Sequence, residues 1–162
     1  MTKTRIILGI DPGIADTGYG VISVSGSTVR CLTYGSIKTS SKSDLMTRLQ
    51  KLHEELLVIL DAYKPDLASV EELFFSKNVK TGIIVGQARG VILLALKERN
   101  CPLQEFKPSQ VKQAVACYGA ATKDQVQRMV KVILGLKTIP KPDDAADALA
   151  LALCALNKPQ IK

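Results

Sequence analysis

The stretch Ile7-Leu8-Gly9-Ile10-Asp11-Pro12-Gly13 (ILGIDPG) decides how the rest of the chain is read. From Arg5 to Asp11 the residues are almost continuously apolar, the pattern of a short strand covered on both faces at the centre of a sheet. The run ends on a carboxylate, and Pro12-Gly13 turn the chain immediately afterwards. Asp11 therefore either opens a turn or is a charge that a rigid strand holds in place. The rest of the sequence has to decide between them.

Two further runs, Tyr19 to Ser25 (YGVISVS) and Thr28 to Thr39 (TVRCLTYGSIKT), are rich in β-branched and aromatic residues, with Gly26-Ser27 as a hairpin turn between them. Short turns join these three strands, so they are expected to be antiparallel. Asp44 is the expected N-cap of a helix reaching about Tyr63, with Leu45, Leu49, Leu52, Leu56 and Leu60 in one stripe and Lys64-Pro65-Asp66 as its stop. A strand over Leu67 to Leu73, a helix from about Lys80 to Arg99 and a strand over Leu103 to Phe106 follow. Helices are then expected from about Ser109, from about Thr122, and from about Asp143 to Leu156. Three hairpin strands followed by alternating helix and strand make an α/β protein with a mixed five-stranded sheet and helices on both faces. That order is the order of the ribonuclease H-like fold. One domain over residues 1–156 and a short tail over 157–162 are expected.

A chain of 162 residues suits a single core. Its 22 Lys and Arg against 15 Asp and Glu leave a net charge of +7, which favours an anionic partner such as nucleic acid or a charged membrane surface. Cys31, Cys101, Cys117 and Cys154 are far apart with no CxxC pair, so they point to buried thiols rather than to zinc or a redox motif. The run IILGI is too short for a signal-peptide core, and no membrane span is expected elsewhere, so the reading is cytoplasmic with no membrane partner.

The acids decide the role of Asp11. Glu71 and Glu72 lie near the end of a later strand, and strand ends of an open sheet face a common crevice. The segment PDDAADALALAL puts Asp143, Asp144 and Asp147 at the start of a helix that is apolar almost all round and must be buried. Acids in a first turn also suit the helix dipole, which is reason enough for Asp143 and Asp144. Asp147 lies one turn further in, where a carboxylate needs a cation or metal as partner. Acids converging on one crevice repel unless divalent ions hold them, and oxygen-only ligands suit magnesium or manganese. Two such ions can activate a water and stabilise the leaving oxygen of a phosphodiester. With four acids confined there, the remaining surface carries roughly +11, a positive field around a negative pit.

Through ILGIDPGIADTGYGV, VEELFFSKN, GQARGV, QVKQAV and DDAADALALA, in this order and over nearly the whole chain, the sequence closely resembles the RuvC family of bacterial Holliday junction resolvases. The resemblance implies that Asp11, Glu71, Asp144 and Asp147 are the catalytic and metal-binding acids. It selects Glu71 over Glu72 and Asp144 over Asp143, which becomes a helix cap or an outer charge. It also implies two Mg2+ per subunit, with Mn2+ as a substitute, and a homodimer acting on four-way junction DNA. Paired symmetric nicks leaving 5′-phosphate and 3′-hydroxyl ends, short T-rich cleavage sites and a branch-migration complex of the RuvA and RuvB type complete the implied picture.

Within that picture Phe74 stacks on an unpaired base and Lys77 lies in the same basic loop, while burial in the core is the competing role for an aromatic there, above all for Phe75. Lys112 and Lys123 fall where the family places cations near the scissile phosphate, although most lysines are simply solvated. Gly82, Gly86 and Gly90 recur every fourth residue, each costing a helix about 1 kcal/mol against alanine, and so suggest a close approach. The resemblance makes that approach a dimer seam, and packing on the chain's own sheet is the alternative. His53 is read as structural. Two rival readings remain on sequence alone: an actin-like or sugar-kinase phosphate loop around Asp11, and a branched-nucleic-acid binding module or a nuclease of the same fold acting on RNA.

Overall fold

The computed structural model describes residues 3–73 and 78–157. Five strands, β1 (Arg5–Asp11), β2 (Asp16–Ser25), β3 (Thr28–Lys38), β4 (Leu67–Glu71) and β5 (Leu103–Phe106), form one sheet in the order β3-β2-β1-β4-β5. β1 runs antiparallel to β2 and parallel to β4, β2 is antiparallel to β3, and β4 is parallel to β5. The expected mixed sheet is therefore present, with ILGID at its centre. Ile10 pairs with Val70, so Asp11 and Glu71 follow one step later on neighbouring parallel strands and leave the sheet at the same edge.

Strand alternation sends β1 side chains to two cores. Leu8 and Ile10 join Val21, Val70, Leu52, Leu56 and Ile92 beneath α1 (Leu45–Tyr63) and α2 (Val79–Glu98). Ile7 joins Ile22, Phe106, Val115, Val130 and Leu149 beneath α3 (Pro108–Ala116), α4 (Lys123–Ile133) and α5 (Asp143–Cys154). Helices thus cover both faces. Asp44 caps α1 as expected, its Oδ1 accepting from the Thr47 N–H at 3.0 Å. His53 is structural, lying 2.8 Å from Glu98 and joining α1 to α2.

α5 lies almost against the backbone of the sheet because three glycines make room for it. A Cβ on Gly9 would stand 1.8 Å from the Ala148 carbonyl oxygen, one on Gly18 2.0 Å from that of Asp144, and one on Gly20 2.6 Å from the Leu149 side chain. Gly9 and Gly20 are paired across β1 and β2, and Gly18 is paired with Asp11. On the β4 side the buried Ser69 hydroxyl donates to the Leu151 carbonyl at 2.6 Å.

Several expectations need correction. β2 begins at Asp16 rather than Tyr19, because the segment after the Pro12-Gly13 turn returns directly into register, Asp16 opposite Lys38. β4 ends at Glu71, and α5 gives way to a 3-10 turn over Ala155–Asn157 that takes in the first residue assigned to the tail. Cys117 is exposed, not buried, at the left-handed C-cap of α3. α2, with 20 residues and a mean hydropathy of 1.5 over its most apolar window, has the length and composition of a membrane span, against the expectation of none. Its residues Ala88, Ile92, Ala95 and Leu96 pack in the core with α1, but only 28% of that window is buried, and Ile83 and Leu94 are exposed.

Candidate active site

The chain just beyond Asp11 is fixed from several sides. The Thr17 hydroxyl donates to the Gly13 carbonyl, and the Thr39 hydroxyl donates to that of Ile14. Thr39 N–H donates to the Ala15 carbonyl at 3.1 Å, and Arg48 Nε donates to Thr39 Oγ1 at 2.8 Å. A carboxylate held on a strand end between such anchors keeps its direction.

Opposite it, α5 starts after Pro142, and no side chain caps it. Asp143 is therefore not the helix cap: its carboxylate is 2.7 Å from Lys141 Nζ and stays exposed. Asp144 and Asp147 share the inner face. Carboxylate oxygens of Asp11, Asp144 and Asp147 all lie within 4.8 Å of one another. Glu71 is not part of that group, but it lines the same cleft of about 200 Å³ with Asp11, Asp147, Lys112 and Lys123. Glu72 does not line that cleft; it borders a neighbouring depression with Leu73 and Arg89, on whose rim Asp11 and Glu71 also lie.

Burial, then the charges of Asp147 and Asp144, push the Asp11 carboxyl from 3.8 up to about 8. Burial also raises Glu71, with Asp147 adding to the effect and Lys112 opposing it. The cleft thus holds more negative charge than its surroundings tolerate. Lys123 answers part of it: Thr122 and Gln125 cap α4 reciprocally, and this starts the helix with Lys123 Nζ 2.8 Å from Asp147 Oδ2. An oxygen-only donor set, crowded and already binding protons too tightly, fits hard divalent cations. A nucleotide-phosphate loop alone would leave Asp144 and Asp147 without a role, and the fold brings both onto Asp11.

A family model described as crossover junction endodeoxyribonuclease RuvC matches residues 7–155. The chain belongs to the RuvC family. A relative from Halothermothrix orenii, named crossover junction endodeoxyribonuclease RuvC, is 55% identical over 152 residues, 94% of this chain and 92% of its own. One of the same name from Heliobacterium modesticaldum is 54% identical and covered to 94% on both sides. Among solved structures, that of Thermus thermophilus RuvC in complex with a Holliday junction substrate superposes with a TM-score of 0.88 at 40% identity, over 93% of this chain and 92% of that one. The ribonuclease H-like fold of the RuvC resolvases is thus the fold of this chain.

Of the residues expected at the site, the structure gathers Asp11, Asp144 and Asp147 and places Glu71, Lys112 and Lys123 around them. Phe74 and Lys77 lie outside the described residues. Gly82, Gly86 and Gly90 lie in one helical stripe that turns by about 40° at each step of four residues. Gly82 is accordingly buried, while Gly86 is half-buried and Gly90 exposed. The residues that sequence reasoning missed are Gly9, Gly18 and Gly20, which seat α5. Glycine inside a strand is a signal of close backbone approach that ILGID and DTGYG both carried.

Proposed function

We infer that this RuvC-family protein is a structure-selective endonuclease that resolves four-way DNA junctions in recombination and repair. The observation that carries the reading is the convergence of Asp11, Asp144 and Asp147 at the edge of the sheet in a chain that matches the family over residues 7–155. Asp11, Glu71, Asp144 and Asp147 hold two Mg2+, or Mn2+ in their place. Bound there, such ions supply an activated water and charge stabilisation at the phosphodiester.

The chain's own residues do the rest. Asp11 and the α5 acids are carried by rigid elements, so the site exists before DNA enters it. The Lys123 ammonium, held against Asp147, is a fixed cation, and Lys112 on the cleft wall adds a second positive charge; both offset charge developing on the phosphate. Hydrolysis leaves a 5′-phosphate and a 3′-hydroxyl. Phe74 and Lys77 act at the opened crossover, Phe74 by stacking on a base.

Two symmetric nicks require two sites related by a dyad, hence a homodimer. The outer face of α2, with exposed Ile83, Gly90 and Leu94 around Gly86, is its seam. Among the described residues a Cβ on Gly90 would meet nothing within 4 Å, so their packing does not account for that glycine. The protein works in the cytoplasm beside a branch-migration complex of the RuvA and RuvB type. Incubation of a synthetic mobile four-way junction with magnesium, beside a linear duplex of the same sequence, tests the reading: paired nicks are expected on the junction alone, and equal cutting of both would overturn the junction selectivity.

A further inference from the structure

Arg89, the arginine of GQARGV, is charged and 7% exposed, and no step above uses it. It sits on α2, yet its guanidinium reaches the catalytic edge of the sheet. Nη1 donates to the Glu71 carbonyl at 2.8 Å, and Nη2 is paired with the Glu105 carboxylate on β5. Glu72 adds a further negative charge nearby. A buried guanidinium is costly compared with an apolar side chain of similar volume, so packing alone does not explain it. At the last residue of β4 the Glu71 carbonyl receives a donor from α2, and the N–H of the same peptide, that of Glu72, donates to the Phe106 carbonyl at 2.8 Å, so Arg89 and β5 together hold the peptide plane that follows Glu71.

We propose that Arg89 is a positioning residue that sets the direction of the Glu71 carboxylate by clamping its backbone carbonyl to α2 and β5, and thereby tunes the affinity of the acid cluster for divalent ions. A planar fork can hold a carbonyl and a carboxylate together, whereas a lysine ammonium cannot reproduce that geometry. Outer partners of this kind change metal affinity by about 10- to 100-fold when removed. The inference rests on Glu71 being a ligand of the ion site.

The test is titration calorimetry of Mn2+ into the DNA-free protein, for wild type, Arg89→Lys, Arg89→Met, Glu105→Gln and Glu71→Gln, with sedimentation and thermal melts as checks of fold. Arg89→Lys and Arg89→Met are expected to weaken Mn2+ binding about tenfold and to raise the magnesium needed for half-maximal cleavage by the same factor, with junction binding in chelator unchanged. Glu105→Gln, at a half-exposed side chain, should shift affinity in the same direction and serves if Arg89→Met does not fold. Wild-type Mn2+ affinity in folded Arg89→Lys and Glu105→Gln, with Glu71→Gln weakened, would overturn the role of Arg89 alone. Unchanged affinity in Glu71→Gln would overturn the ligand role of Glu71 and this inference with it.

Discussion

Gly18 lies under Asp144 so closely that a methyl group on its Cα would stand 2.0 Å from the Asp144 carbonyl oxygen, and the same glycine is the strand partner of Asp11. The gap between the strand acid and the helix acids is therefore set by the absence of a side chain. Gly18→Ala must lift the start of α5. Overpacking of this kind costs about 1 to 3 kcal/mol, readable by denaturant unfolding. The displaced Asp144 should lower cleavage by about 100-fold or more. Full activity with unchanged stability would mean that α5 does not set the site.

Lys123 separates catalysis from stability. Its ion pair with Asp147 has the lysine side chain 57% exposed, and exposed pairs contribute about 0 to 1 kcal/mol. Lys123→Ala should thus melt almost as wild type while losing about 100-fold in the rate of the cleavage step. A melt shifted strongly, with the single-turnover rate intact, would make the pair structural.

The pH dependence follows from Asp11. Its folded pKa of about 8 lies above the ordinary 3.8, so between these values the folded protein binds a proton that the unfolded chain has released. The contribution of Asp11 to the stability of the metal-free protein is therefore fully present below about pH 4 and is lost as pH rises towards 8, with Glu71 shifted in the same direction. Divalent ions need the proton gone, so metal affinity and cleavage should rise over the same window. Thermal melts in chelator from pH 5 to about 8 check this, and Asp11→Asn should flatten the slope.

Gly86 tests the seam. Among the described residues a Cβ there would meet the Leu73 side chain alone, at 3.9 Å, an ordinary contact, so the helix accepts a side chain at this position, and thermal melts of Gly86→Leu beside Gly86→Ala check that the monomer stays folded. Analytical ultracentrifugation is expected to give a monomer for that variant. A wild-type dimer mass would place the seam elsewhere on the surface.

Much of this architecture was legible because its signals are local. ILGID carries both a central strand and its terminal carboxylate, and the DDAAD helix is too apolar to be anything but buried. Glu71 could not be told from Glu72 by residue type, since the choice depends on which way the strand end faces. The start of β2 at Asp16 was hidden by a sequence, DTG, that has turn composition but is held in register by β3. Gly9 and Gly20 reduce strand propensity, and their purpose shows only when α5 is packed across them. Arg89 was invisible for a similar reason: its partners Glu71 and Glu105 come from two strands on either side of α2 in the chain.

Cleavage and binding measured in parallel for Asp11→Asn on one mobile four-way junction in magnesium test whether the gathered acids carry the reaction. The account predicts that paired symmetric nicks made by the wild type disappear, while the junction is bound at least as tightly, because one repelling carboxylate has gone. Nicks retained at the wild-type rate in Asp11→Asn would contradict a reaction carried by the acids that this fold brings together.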